Sequence, residues 1–360
     1  MRGIARCGVD NEAALRQPVR EPGFERNRHM AKMRALLSRL DDDKQVVSEV
    51  VELDDAALPE GDVTVDVEYT TLNYKDGMIL TTGGGLVKTW PHVGGIDLAG
   101  TVASSDDPRF APGDKVTMNG YRLGELFWGG YASRARVSAD HLVKLPASIS
   151  TRHAAAIGTA GYTSMLCVLA LERHGVAPGM GEVLVTGAAG GVGSVAIAIL
   201  KQLGYEVTAS TGRLSEAEYL KSLGADHVIE RKEISEAPDR PLLPERFAGI
   251  VDTVAGPTIG HALSMLKYAG AAAVCGLAGG MTLPASILPF LLRGIAVYGI
   301  DSVMLPMAPR QEAWRRLGTD LPLNKLDSTT FDARLEDVPG LAKKILRGEV
   351  RGRAVISLQA

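Results

Sequence analysis

Residues 182–199 read EVLVTGAAGGVGSVAIAI, and the fold turns on how that run is read. Val183–Thr186 suit a buried strand, and the small and aliphatic residues 195–199 suit a buried helix. Between them stand Gly187, Gly190 and Gly193, with Ala189, Gly191 and Val192 filling the turn. In a strand that enters a helix this way each glycine has a task. Gly187 permits the tight turn, Gly190 lets the backbone approach a pyrophosphate, and Gly193 allows helix and strand to pack closely. The helix N-terminus then offers amide donors and the positive end of its dipole to the phosphates. The spacing G-x-x-G-x-x-G is a weak signature by itself; the strand before it and the helix after it carry the reading.

The next strand, YEVTASTGR at 205–213, decides which dinucleotide is held. An NAD site places Asp or Glu at the end of this strand to accept bonds from the ribose 2′-hydroxyl, and that carboxylate would repel a 2′-phosphate. Here the strand ends in Ser210, Thr211, Gly212 and Arg213, which offer hydroxyls, a glycine amide and a guanidinium able to grip phosphate with two bonds. Arg231, after the third strand, is a second cation for the same pocket. The expected cofactor is NADPH.

Outward from this core, strands and helices alternate over residues 155–301, the pattern of a parallel sheet covered on both faces. A long helix is expected after Ser150 or Thr151 and ending at Gly175, and a shorter one at 214–224 with Ser215 and Glu218 as a capping box. Before it, residues 33–154 show short alternating strands separated by Gly, Pro and Asp signals, and residues 302–360 are expected to pack back on this β-rich unit. The fold class is therefore α/β, a Rossmann doubly wound sheet with a second, β-rich domain. Residues 1–32 mix six arginines with Asp10, Glu12, Glu21 and Glu25, lack an apolar core, and are expected to be a tail outside the fold.

Composition excludes several classes. A formal net charge of −3 on 360 residues calls for neither nucleic acid nor an anionic membrane. The uncharged run between Lys267 and Arg293 is broken by Gly279, Gly280, Pro284 and Pro289, so a buried strand, loop and short helix is expected there, not a membrane span. Cys7, Cys167 and Cys275 lie far apart, which argues against a disulfide framework or structural zinc and for a reducing, cytoplasmic setting. His92 and His141 stand in no ligand-like cluster, so no catalytic metal is expected. Arg122, Lys88, Arg293 and Arg310 are cations a nucleotide-bearing substrate would need, though each reads more simply as a solvated surface charge.

From Met33 onward the chain resembles the medium-chain dehydrogenase/reductases, in their zinc-independent quinone-oxidoreductase branch, whose first domain is GroES-like. Zinc alcohol dehydrogenases of that superfamily carry metal ligands in a Cys-x-x-Asp and a Gly-His-Glu segment. The matching stretches here are Asn73-Tyr74-Lys75-Asp76 and Gly95-Ile96-Asp97, so both ligand positions have changed. TLNYKDGM, GGIDLAGTV, IGTAGYTSMLCVLALE, TGAAGGVGS, CGLAGG, PFLLRG and GIDSVMLP are together similar to the acryloyl-CoA reductase subfamily, whose members reduce acryloyl-CoA to propionyl-CoA with NADPH.

The resemblance implies cofactor contacts at Tyr74, at the 189–192 turn and at Thr211, Gly212 and Arg213, with Leu277, Ile300 and Asp301 approaching the nicotinamide. It implies an acyl-CoA partner and a homodimer through the edge of the nucleotide domain's sheet. Adding hydride to a conjugated thioester puts charge on the thioester oxygen, which hydrogen-bond donors must stabilise if no metal does. Tyr74 is the candidate donor, Asn73 would orient the carbonyl, and Asp76 is a candidate acid or a capping carboxylate. A quinone or enal acceptor on the same fold, and a nucleotide-binding protein without turnover, stay open beside this reading.

Overall fold

The computed structural model describes residues 32–359. The tail expected over 1–32, with Cys7, lies outside the described residues except for Lys32, which already belongs to the first strand. The β-rich part comprises β1 (Lys32–Leu40), β2 (Val46–Asp54), β3 (Val63–Thr71), α1 (Tyr74–Thr82), β4 (His92–Val93), β5 (Asp97–Ser105), β6 (Lys115–Asn119), β7 (Arg134–Val137) and β8 (Val143–Lys144). After α2 (Thr151–His174) come β9 (Glu182–Val185), α3 (Gly191–Gln202), β10 (Glu206–Thr211), α4 (Ala217–Leu223), β11 (His227–Glu230), β12 (Phe247–Asp252), α5 (Gly256–Ser264), β13 (Leu266–Val274), α6 (Leu288–Arg293) and β14 (Ala296–Gly299). The chain closes with α7 (Met307–Asp320), α8 (Leu323–Thr329), β15 (Thr330–Arg334), α9 (Val338–Leu346) and β16 (Arg353–Ser357).

β9 to β14 form a six-stranded sheet in the order β11-β10-β9-β12-β13-β14, every neighbouring pair parallel. The order reverses beside β9, so the crevice at the carboxyl ends of β9 and β12 is where such a sheet takes a ligand. The first part builds a second sheet, β15-β16-β3-β5-β6-β8, with β7 also paired to β3. β16, the last strand, runs antiparallel to β3 and so returns the C-terminus to the first sheet.

α2 joins the two halves. Its apolar window has the length and hydropathy of a membrane span, but 89% of it is buried within the protein. Ser150 caps it by accepting from His153 N (3.1 Å), and Gly175 ends it in the left-handed region. It kinks at Gly158, whose φ of 47° and lack of a side chain matter together: a Cβ there would lie 2.5 Å from Arg353 Nη2 and 2.7 Å from Asp97 Oδ2.

Two local expectations change. Residues 214–216 form a 3-10 turn that runs straight into α4, so Ser215 sits inside the helical run and the Ser215–Glu218 capping box does not form. The uncharged run 267–293 gives the buried strand β13, but its loop and α6 are not buried: Leu277, Met281, Leu291 and Leu292 are all more than half exposed. Gly279, Gly280, Pro284 and Pro289 fall in this stretch, and among the described residues no further strand pairs with β14.

Candidate active site

The phosphate end is assembled before the glycine turn begins. Thr186 Oγ1 donates to the Asp252 carboxylate (2.6 Å) and accepts from Thr253 N (3.0 Å), tying the exit of β9 to that of β12. Burial raises the Asp252 pKa, against the bonds it accepts from Thr186 and from the Ala255 and Val254 amides. Gly187 has φ +59°, and a Cβ on it would collide with Thr253 Oγ1. A Cβ on Gly193 would sit 2.5 Å from the Gly187 carbonyl oxygen, so only glycine lets α3 begin this close to the strand. Gly190 is the N-cap of α3, and its ladder starts with Ser194 N donating to Gly190 O (3.0 Å). The amides of Gly191, Val192 and Gly193 are thus the donors of an uncapped helix start.

At the end of β10, Arg213 N donates to Thr211 Oγ1 (3.1 Å), which folds the strand end into a hydroxyl-and-amide corner. Arg231 lies directly on Gly212: the position of a Cβ there is 3.1 Å from its Cζ. A cavity of about 390 Å³ opens beside them, and its lining includes Gly212, Glu230, Arg231, Lys232, Pro257 and Thr258. The later strands close the row. Cys275 N donates to Asp252 O (2.9 Å) and Ile300 N to Val274 O (3.0 Å), and Leu277 is exposed above them. Asp301 accepts from Val303 N (2.7 Å) and Met304 N (3.0 Å), shaping the return to the first domain.

The catalytic-domain side is a buried charge network. Asp97 accepts from Asn73 Nδ2 (2.7 Å), Asn119 Nδ2 (2.5 Å), Thr159 N (2.9 Å) and Thr159 Oγ1 (2.6 Å). Asp76 accepts from the Asn73 amide (2.9 Å), Asn73 Nδ2 (3.2 Å) and Ile96 N (2.9 Å). Arg353 completes it, donating to Ala156 O (2.8 Å), Asn73 Oδ1 (3.1 Å) and Thr71 Oγ1 (3.0 Å). Burial lowers the pKa of Arg353 while the Asp97 and Asp76 charges oppose that. Burial, then the neighbouring Asp97 charge, pushes the Asp76 pKa up to about 7.

This arrangement separates the three residues expected to act on substrate. Tyr74, the first residue of α1, is 52% exposed. Asn73 is buried with both side-chain hydrogens engaged by Asp97 and Asp76, so it has no N–H left to orient a carbonyl; it fixes the start of α1 instead. Asp76 is fully buried beneath it and points at backbone amides. The candidate substrate cations also change. Arg310 is fully buried, donating to Asn119 O (2.6 Å) and to carbonyls of residues 302, 303 and 305, with its guanidinium over the rings of Tyr121 and Tyr162. Arg293 holds the carbonyls of Leu243, Ser264 and Leu266. Arg122 is paired with the buried Glu125 (2.8 Å), and Lys88 reaches only Gly85 O (2.9 Å).

Sequence reasoning missed Arg353, Asp97 and Thr159 as parts of the site. Asp97 and Arg353 carried one signal, a lone charge in an apolar run (GGIDLAG, GRAVIS), which folding tolerates only when the charge finds a buried partner.

Comparison with known proteins places the chain in a family. The alcohol dehydrogenase GroES-like domain family matches residues 59–147, and the zinc-binding dehydrogenase family matches residues 191–319. The chain is 56% identical over 303 residues to the acrylyl-CoA reductase AcuI of Ruegeria pomeroyi, covering 84% of this chain and 92% of that one. It is 47% identical to the probable acrylyl-CoA reductase AcuI of Escherichia coli (91% and 100% covered) and 43% identical to the putative quinone oxidoreductase YhfP of Bacillus subtilis (88% and 96%). The crystal structure of the Salmonella enterica yhdH oxidoreductase in complex with NADP superposes with a TM-score of 0.88 at 47% identity, covering 91% of this chain and all of that one. The B. subtilis yhfP structure with NAD bound gives 0.88 at 41% identity, covering 91% and 99%. The chain belongs to the medium-chain dehydrogenase/reductase superfamily, among its acrylyl-CoA reductase-like members.

Proposed function

We propose that this protein reduces the conjugated double bond of acryloyl-CoA to give propionyl-CoA, with NADPH as the reductant. The observation that carries the reading is the end of β10, where Thr211, Gly212 and Arg213 with Arg231 replace the carboxylate an NAD site requires, in a chain 56% identical to an acrylyl-CoA reductase. The pyrophosphate would lie on the amides of residues 189–193, and Leu277, Ile300 and Asp301 would flank the nicotinamide. Bound there, NADPH would supply a hydride to the β-carbon of the thioester, and a proton from Tyr74 or from water would complete the α-carbon.

The chain's own residues then have two tasks. Charge arriving on the thioester oxygen needs a donor, and the exposed Tyr74 at the start of α1 offers its hydroxyl for that bond or for the nicotinamide. Asn73, Asp76, Asp97 and Arg353 hold the start of α1 in place and so position Tyr74. Zinc has no place in this reading. Asn73 and Ile96 stand at the two ligand positions, the carboxylates beside them are engaged by amides and hydroxyls, and neither a thiol nor an imidazole is among them.

The exposed apolar residues of 277–298, beside the open edge of β14, support a homodimer through that edge. Leu291→Asp is expected to convert a dimer to monomer in light scattering; a wild-type monomer would remove this part of the reading. The free Cys167 and Cys275 suit a reducing cytoplasm. A quinone acceptor is the second reading, favoured by the 43% identity to the protein named a putative quinone oxidoreductase. Steady-state rates with acryloyl-CoA, crotonyl-CoA and a benzoquinone separate the two: the proposal expects acryloyl-CoA to exceed the quinone in kcat/KM, and the reverse order would overturn it.

A further inference from the structure

We propose that Arg351, supplied by the catalytic domain, is a further specificity-determining residue for the cofactor, a guanidinium that joins Arg213 on the 2′-phosphate. The inference rests on the reading of that pocket as an NADPH site. Its starting point is the loop between α9 and β16, which is docked on the phosphate elements at both ends. Arg213 Nη1 donates to Gly348 O (3.1 Å), and Gly352 N donates to Ala189 O in the glycine turn (3.4 Å). Residues 348–352 therefore span from the end of β10 to the pyrophosphate turn, and Arg351 lies within that span.

Its side chain is turned toward the same corner. Arg351 Nη1 is 3.3 Å from Glu216 Oε2, and its Cζ is 4.9 Å from the centroid of the Tyr219 ring. Both partners belong to the segment that follows Arg213 directly, and Glu216 N donates to Arg213 O (3.0 Å). Arg351 thus rests one turn from Arg213. The other arginine of the loop is occupied, since Arg347 grips Glu349 with two bonds of 2.7 Å. Arg351 has a single long bond to one carboxylate, and its side chain is 59% exposed while that of Glu216 is 15% exposed, so the guanidinium end of the pair stays in solvent. A phosphate with two charges and three acceptor oxygens is a stronger partner for a guanidinium than that carboxylate. Arg351 would leave Glu216 for the phosphate, its guanidinium moving off the Tyr219 ring.

The experiment compares wild type, Arg351→Ala, Arg351→Lys and Arg213→Ala with NADPH and NADH, and with 2′,5′-ADP and 5′-AMP as competitive inhibitors. Arg351→Ala should raise KM for NADPH and the inhibition constant of 2′,5′-ADP by about tenfold, leave both values for NADH and 5′-AMP unchanged, and leave kcat unchanged. Arg351→Lys should recover part of the loss. Equal losses with NADPH and NADH would make Arg351 a tether of the loop and overturn the inference, as would no change with either. Arg213→Ala separates the two levels. If it discriminates between NADPH and NADH and Arg351→Ala does not, the inference on Arg351 alone fails; if neither variant discriminates, the 2′-phosphate reading fails with it.

Discussion

Two clusters of charge flank the glycine turn, and they are built on opposite terms. Beneath Tyr74, Asp76, Asp97 and Arg353 are buried, opposite in sign, and bonded to one another through Asn73 or to neighbouring amides and hydroxyls. At the end of β10, Arg213 and Arg231 are exposed, alike in sign, and held by a carbonyl and a glycine surface. A cluster whose charges are already matched has little left to offer a ligand and much to lose if one member is removed. Two guanidinium groups kept in solvent and bonded to no carboxylate among the described residues leave their charge for something that arrives. The first is scaffold and the second is the proposed binding site, although both are arginine-centred.

The largest test of this contrast is Arg353→Ala. Removing a buried guanidinium leaves two carboxylates and the Asn73 Oδ1 without it, and the expected loss is about 3–5 kcal/mol in urea unfolding, with activity falling alongside. A loss under about 1 kcal/mol would place Arg353 among ordinary surface charges. Arg213→Ala should do the reverse: stability within about 0.5 kcal/mol of wild type, and kcat/KM for NADPH lowered about 30-fold while NADH is barely affected. If that variant unfolds instead, the division between scaffold and binding site is wrong.

An effect graded with pH should appear as well. The Asp76 pKa is raised to about 7, above the value near 3.9 of an unfolded aspartate, so the folded chain holds this proton more tightly. Its contribution to stability is full below the unfolded value and is lost as pH rises through 7, at no more than about 1.4 kcal/mol per pH unit. Unfolding curves between pH 4 and 8 should show that slope in the wild type and a flatter one in Asp76→Asn. Parallel slopes would mean that Asp76 does not titrate in this range.

The same contrast explains what the sequence made legible. The glycine turn and the Thr211–Arg213 corner are each a few consecutive residues between a strand and a helix or turn, so their local geometry could be read in order. The Asp97–Arg353 network joins residues 71, 73, 76, 97, 119, 156, 159 and 353, and only the return of β16 to β3 brings the last to the others. Asn73 could be placed beside Tyr74 from sequence, but that its amide hydrogens face inward depends on Asp97, 24 residues away. Arg310 shows the same limit. In RQEAWRRL it reads as one surface cation among several, and its burial under Tyr121 and Tyr162 comes from packing between distant elements. The missing capping box at Ser215 is a local failure: a 3-10 turn beginning at Leu214 takes Ser215 into the helical run, and the N-cap of the α-helix falls on Glu216. The exposed loop at 277–292 misled in the other direction, because apolar composition predicts burial without saying whether the cover is the protein's own core or a second copy.

The most direct test of the account is NADPH oxidation at 340 nm with acryloyl-CoA as acceptor, run beside NADH and beside a benzoquinone. The account predicts rapid, saturable turnover of acryloyl-CoA with NADPH, with kcat/KM at least about tenfold lower for NADH. Equal rates with NADH, or turnover of the quinone without turnover of the thioester, would contradict it.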